Sequence, residues 1–133
     1  KTINKKMIKD FLIINCTGKN DSIGLKLNNN FFVEKLQTNI KNNEILVNKI
    51  FDLLTKKKAK IDSNFSIIVN IGPGSFSAIR TSLAIAKGIK ISKGSNIYAY
   101  KNSLLSEFNL KNIEFLINKN LLENKLIKPL YLS

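Results

Sequence analysis

The chain has no histidine and no tryptophan, a single cysteine, two prolines, and nine acidic residues against twenty-two basic ones. Without histidine there is neither a His-based catalytic triad nor a Cys/His metal set. The few acids include no close carboxylate pair, so no general acid-base set is visible either. Cys16 cannot close an internal disulfide, and its place in an apolar run marks it as a small buried hydrophobe rather than a reactive thiol. Long apolar runs are missing too. The longest are short stretches such as 11–14, far below the roughly 20 residues of a membrane helix. The basic start, Lys1 to Lys9, is not followed by an apolar segment and a small-residue cleavage site, so it does not read as a secretory signal. These features predict a cytoplasmic protein with no membrane contact.

What is present is the composition of one globular domain: 133 residues, 44% hydrophobic and 23% charged, enough to bury a core and too little apolar-poor sequence for disorder. The formal charge of +13 first suggests a nucleic-acid binder. Nearly all of it is lysine, however. Arg80 is the only arginine, whereas bidentate recognition of phosphate and guanine favours arginine. Asparagine and isoleucine are also abundant, as an AT-rich coding sequence produces. The lysines are dispersed except for Lys56, Lys57, Lys58 and Lys60, at an expected helix end where positive charge suits the helix dipole. A generic solvated basic surface accounts for this pattern better than specific RNA binding.

Along the chain, 11–16 is a continuous apolar run of strand length suited to a central strand. A turn over 17–21 leads to 22–27, where Ile23, Leu25 and Leu27 alternate with polar or small neighbours, and a second tight turn at 28–30 leads to a third strand over 31–37. The period then changes. Between Asn42 and Lys58, Leu46, Val47, Ile50, Phe51, Leu53 and Leu54 cover one broad helical face, with Asn48, Lys49, Asp52 and Lys56 opposite and Asn42 or Asn43 as cap. A second nearly all-apolar strand, 65–71, ends in Gly72-Pro73-Gly74-Ser75 before a helix over 76–93, a short strand over 96–100, and a helical turn or two from Ser103 to Phe108. Beyond lie a short apolar segment near Phe115 and a final strand over 127–132.

The strand, glycine loop and helix unit at 65–93 carries the information. A glycine loop opening a helix can face an anion with its backbone N–H groups. Against that, Pro73 removes one donor, no Gly-Lys-Ser/Thr ending follows, and there is no Gly-x-Gly-x-x-Gly fingerprint. A tight turn with Ser75 capping the helix explains the same residues. In the helix, Phe76, Ile79, Leu83 and Ala86 fall on one side and Ala78, Ile85 and Ile89 on another, which implies two neighbours. Between them Ser77, Thr81, Ala84 and Gly88 form a stripe of small residues that would let another helix approach closely, with Arg80 and Lys87 at its rim. The helix is either interior to one domain or shared between a sheet and a partner subunit.

The stretch Ile71-Gly72-Pro73-Gly74-Ser75-Phe76-Ser77-Ala78-Ile79-Arg80-Thr81-Ser82-Leu83-Ala84-Ile85-Ala86-Lys87-Gly88 closely resembles the signature loop and following helix of the TsaB (YeaZ-like) family. The element order over roughly residues 8 to 108 follows the same family, and Lys128-Pro129-Leu130-Tyr131-Leu132 resembles its closing strand. The resemblance implies an α/β fold, the N-terminal lobe of an actin-like ATPase (ribonuclease H-like) architecture: a mixed five-stranded sheet flanked by helices. It implies the division 1–7, a disordered or tag-like arm; 8–112, the lobe; and 113–133, a short remnant where the family has a second lobe of about equal size.

The resemblance also implies a role. TsaB associates through helices of this lobe with TsaD, which transfers threonylcarbamoyl to adenosine of ANN-decoding tRNAs, and TsaE, an ATPase, joins them. On that reading the chain is a non-catalytic scaffold without cofactor, in indirect or weak contact with tRNA, and able to homodimerise when alone. Its expected partner interface comprises Leu46, Ile50, Leu53, Ser77, Arg80, Thr81, Ala84, Lys87 and Gly88. One departure bears on mechanism: the family's first strand commonly ends in aspartate and threonine, where this chain has Asn15-Cys16-Thr17, and a neutral amide is a poor metal ligand. Two other readings remain open from the residues, a nucleotide-binding module using 72–75 and a basic RNA-binding domain.

Overall fold

A computed structural model describes residues 8–37, 43–124 and 127. The two polar turns and the alternating strands that follow them produce an antiparallel meander, β1 (Phe11–Asn15), β2 (Ser22–Leu27) and β3 (Asn30–Lys35). The chain then crosses the sheet through α1 (Asn43–Lys56) to β4 (Ser66–Asn70), and through α2 (Phe76–Lys93) to β5 (Asn96–Tyr100). Strand order is β3-β2-β1-β4-β5, with β1, β4 and β5 parallel. β1 and β4 are central, which is why both read as unbroken apolar runs. A 3-10 turn (Asn102–Leu104) and α3 (Leu110–Asn118) complete the described elements.

Each central strand sends alternate side chains to opposite faces, and each face has its own core. Leu12, Ile14, Ile67, Val69, Ile97 and Ala99 meet Leu46, Ile50, Leu53 and Leu54 of α1 and Ile79, Leu83, Ile85, Ala86 and Ile89 of α2. On the other face Phe11, Ile13, Ile68 and Tyr100 are covered by Ile113 and Leu116 of α3. Cys16 is buried in the larger cluster, and burial pushes its thiol far above the ordinary thiol range, as expected of a packing residue.

The helix ends follow local chemistry. α1 closes on Lys58 in the left-handed region (φ 56°), with Ala59 N–H donating to Leu54 O at 2.9 Å. α2 closes on Gly94 (φ 74°), whose N–H donates to Lys90 O at 2.8 Å. α3 opens on Asn109, whose Oδ1 accepts from Asn112 N–H at 2.8 Å. After α3 the chain returns to β5, where Glu123 and Ala99 exchange backbone hydrogen bonds of 2.8 Å.

The structure departs from expectation in three places. The third strand starts and stops slightly earlier than 31–37. The segment near Phe115 is a helix, α3, whose Ile113 and Leu116 are buried. Only a single 3-10 turn forms where a turn or two from Ser103 was expected, and it starts at Asn102 with no side-chain cap. The arm at 1–7, the capping of α1 by Asn42 or Asn43, and the closing strand over 127–132 lie outside the described residues and side chains, except for Ile127, which packs against the larger core.

Candidate functional site: the strand-end knot and the outer face of α2

The parallel strands β1, β4 and β5 end together, at the place where ligands bind in open α/β sheets. Here the ends are tied by neutral side chains. Asn70 Nδ2 donates to Asn15 Oδ1 at 2.7 Å and to Asn102 Oδ1 at 3.0 Å. Tyr100 OH donates to the same Asn15 oxygen at 2.8 Å. Asn70 Oδ1 accepts from Gly72 N–H at 2.9 Å, and Asn102 N–H donates to Gly72 O at 2.8 Å. Burial holds the Tyr100 phenol well above its ordinary range, so it remains a donor. Asn15 therefore serves as an acceptor for two neighbours, using one oxygen and no charge.

The Gly72-Pro73-Gly74-Ser75 loop is clasped to the turn after β1. Gly72 takes a positive φ of 98° and precedes a cis peptide to Pro73. At Gly74 a Cβ would come within 2.5 Å of Thr17 Cβ and 2.7 Å of Thr17 O, so only glycine allows this approach. Ser75 N–H donates to Thr17 O at 2.7 Å, and Ser75 Oγ accepts from Ala78 N–H at 3.5 Å as the cap of α2. Two of the loop's amides are thus committed inside the protein and Pro73 has none. That favours the capped-turn reading over an anion cradle.

Beside the knot lies a cleft of about 740 Å³ whose walls include Asn15, Thr17, Asp21, Lys35, Asn102 and Glu107. Asp21 is raised by burial, against which the amides of Gly18, Thr17 and Lys19 act. Its Oδ1 accepts from Gly18 N–H at 2.9 Å and Thr17 N–H at 3.1 Å, so this carboxylate closes the turn. Among the described residues no group of three or more Cys, Asp or Glu is placed to hold a metal ion.

The second feature is the outside of the helical layer. The two apolar sides expected of α2 are one: Ser82, fully buried with its Oγ donating to Ala78 O at 2.8 Å, joins Ile79, Leu83 and Ala86 to Ile85 and Ile89 in a single inward arc. Sheet and α1 both lie on that arc. The opposite arc is exposed: Phe76, Ser77, Arg80, Ala84, Lys87, Gly88 and Ile91 face solvent, Phe76 at 51% and Ile91 at 86%. A Cβ at Gly88 would touch nothing within 4 Å. Between α2 and α1 runs an open groove of about 520 Å³ lined by Val47, Phe76, Ser77, Arg80, Thr81, Ala84 and Ile85.

The expected interface residues therefore divide. Ser77, Arg80, Ala84, Lys87 and Gly88 share the exposed arc, and Thr81 is buried to 9% exposure at the groove floor. Leu46, Ile50 and Leu53 do not join them, because they are buried against the sheet with exposures of 5%, 0% and 3%. The apolar residues α1 does present are Ile45 and Phe51, at 40% and 44%. Arg80 and Lys87 stand near the middle of the exposed arc. Of the side chains in the knot, Asn70 and Tyr100 carry no motif that would have marked them.

No protein-family model and no curated protein sequence matches the chain. Among solved structures it is similar to YeaZ from Pseudomonas aeruginosa, with a TM-score of 0.65 and 16% identity over 73% of this chain and 46% of that one. The chain has a YeaZ-like fold. A second structure, described as an uncharacterized protein with similarity to peptidase YEAZ from Pseudomonas aeruginosa, matches with a TM-score of 0.64 and 16% identity over 73% of this chain and 45% of that one. The chain thus spans under half the length of either, and the likeness establishes the architecture of the YeaZ-like lobe. None of its described helices is long and apolar enough to cross a membrane.

Proposed function

We propose that this chain is a cytoplasmic, non-catalytic scaffold subunit that binds and supports TsaD in threonylcarbamoyladenosine modification of ANN-decoding tRNAs, with TsaE in the larger complex and tRNA contacted indirectly. The observation that carries the reading is the outer face of α2 in a YeaZ-like lobe: an exposed ridge with Phe76, Ala84 and Ile91 beside an open groove to α1. Small side chains at Ser77, Ala84 and Gly88 leave room for another helix at close range. The non-catalytic part rests on the strand ends, where Asn15 is held by two donors and Asp21, in the wall of the adjoining cleft, is engaged in a turn. The knot that ties the strand ends therefore contains no charged side chain. Commitment of the Gly72 and Ser75 amides within the protein speaks against the loop as a nucleotide site.

Co-purification of the chain with TsaD from the same organism, followed by tRNA threonylcarbamoylation with and without it, tests the proposal. A stable complex whose activity depends on the chain is the expected result. Absence of both complex and effect would sink the scaffold role and bring forward nucleotide and RNA binding, read by thermal shift and salt titration.

A further inference from the structure

The two ends of the sheet carry unequal charge. Because β1, β4 and β5 are parallel, the chain enters all three at the end opposite the knot, and the segments that lead into them meet there. Lys26 Nζ donates to Lys9 O at 3.3 Å, Ser66 N–H to Asp10 O at 3.2 Å, Ser95 Oγ to Asp62 O at 2.8 Å and Asn96 Nδ2 to Ser63 O at 3.1 Å, which ties these segments into one surface. Lys56, Lys57, Lys58 and Lys60 come to this end from α1, and Lys90 and Lys93 from α2. Lys9 and Lys26 join them from the strands. Against these eight lysines stand two carboxylates, Asp10 and Asp62, each turned to a backbone amide, of Asn28 at 2.9 Å and of Asn64 at 2.8 Å. Asp52 is a turn further up α1. At the knot end Lys19, Lys35 and Lys101 mingle with Asp21, Glu34, Glu44 and Glu107, and the charges nearly cancel.

The helix dipole accounts for a lysine in the last turn of α1 or α2, but no helix accounts for Lys9 and Lys26. At the turn after α1 the choice is sharper. α2 closes on Gly94 in the left-handed region, whereas α1 closes in the same region on Lys58 (φ 56°), where a side chain is unfavourable and glycine is the ordinary residue. Lysine at that turn sacrifices backbone energy and adds a charge to this end. The surface between the lysines is polar: Asn28, Asn29, Ser63 and Asn64 are exposed on it, and Ile91 is the only exposed large hydrophobic in the segments that form it.

A protein partner or a lipid bilayer would find almost no apolar anchor here. A phosphate backbone needs none: lysines meet it as point charges, and amide and hydroxyl side chains bond its phosphates and sugars. The shortage of arginine, which argues against the reading of bases, leaves that contact intact. We infer that the basic end of the sheet docks the phosphate backbone of a structured RNA directly and without sequence preference; that this RNA is tRNA rests on the proposed function above.

Fluorescence anisotropy of an unmodified tRNA transcript with the full chain, titrated from about 50 mM to about 200 mM salt, tests this with two triple variants of equal net charge. Lys58→Gln/Lys60→Gln/Lys93→Gln removes three charges from the basic end, and Lys19→Gln/Lys35→Gln/Lys101→Gln removes three from the knot end. The first should weaken binding at least about tenfold and lower the slope of log K on log salt by about two to three, while the second should stay within about threefold of the wild type. Equal losses in the two, or no binding by the wild type at about 50 mM salt, would overturn the inference. So would tighter binding to duplex DNA, or flotation with phosphatidylserine vesicles that the first variant loses while tRNA is not bound. Should the first variant misfold by circular dichroism, Lys58→Gly gives an independent reading: it should raise the unfolding temperature and weaken tRNA binding together, and unchanged binding would overturn the inference. TsaD capture without tRNA binding would leave the scaffold role and remove this one, and tRNA binding without TsaD capture would do the reverse.

Discussion

The helical face of the sheet and the face under α3 are built on different scales. On the first, two helices of 14 and 18 residues bury a continuous aliphatic cluster from Leu12 and Ile67 out to Ile50 and Leu83. On the second, a nine-residue helix covers Phe11, Ile13, Ile68 and Tyr100, with Phe31, Tyr98 and Phe108 only partly buried around them. The difference separates two roles. The thick side holds the fold together, and because its core is complete on the inside, its outer surface is left to α2's exposed ridge. The thin side contributes the phenol that reaches through to the strand-end knot.

Truncation gives the largest expected effect and the sharpest way to break this comparison. Ile50→Ala, in the middle of α1 and fully buried, should cost about 3–4 kcal/mol in chemical denaturation, whereas Leu116→Ala on α3 should cost about 2–3 kcal/mol, because partly exposed neighbours can relax into the space. Equal costs would mean that the faces share the load. Next is Gly88→Leu, expected to weaken capture of the docking partner by about 100-fold in a pull-down titration while stabilising the isolated chain by about 0.5–1 kcal/mol, since glycine is unfavourable mid-helix and the site is open. Loss of the fold would show instead that the ridge is internal.

Tyr100→Phe tests the knot and is expected to cost about 1 kcal/mol at neutral pH by removing one donor from Asn15. The folded phenol's pKa lies above its unfolded value, so its share of stability is present below the ordinary tyrosine range and is lost as pH rises through the folded value. The wild type should therefore weaken with increasing alkalinity more than Tyr100→Phe does, and parallel pH profiles would contradict the buried donor. Ser75→Ala should have the smallest effect, about 0.5 kcal/mol in thermal or chemical unfolding, because its capping contact is long at 3.5 Å.

Much of the fold was legible because apolar spacing changes cleanly from strand to helix: α2 and β5 have the bounds that the periodicity predicts. The ridge was legible in part. A helical wheel marks an apolar arc but not what covers it, which is why Leu46, Ile50 and Leu53 read as interface and proved to be core, while Ile45 and Phe51 carry the exposed apolar surface of α1. α3 was missed although Leu110, Ile113, Leu116 and Ile117 have helical spacing behind a capping Asn109; its short length left it looking like an isolated apolar segment. The knot gave little sign. Asn15, Asn70, Tyr100 and Asn102 are far apart in the chain, and in a sequence rich in asparagine three more stand out from nothing.

The composition of that knot sets how the head of the sheet responds to its surroundings. Amide to amide, amide to phenol, and amide to backbone, it contains no group that gains or loses a proton between acid and mildly alkaline conditions. A shift in cellular pH thus leaves this joint's wiring unaltered. Rearrangement there calls for a pull on β1, β4 or β5 or on the loop that Thr17 clasps, not for a change of protonation within the knot.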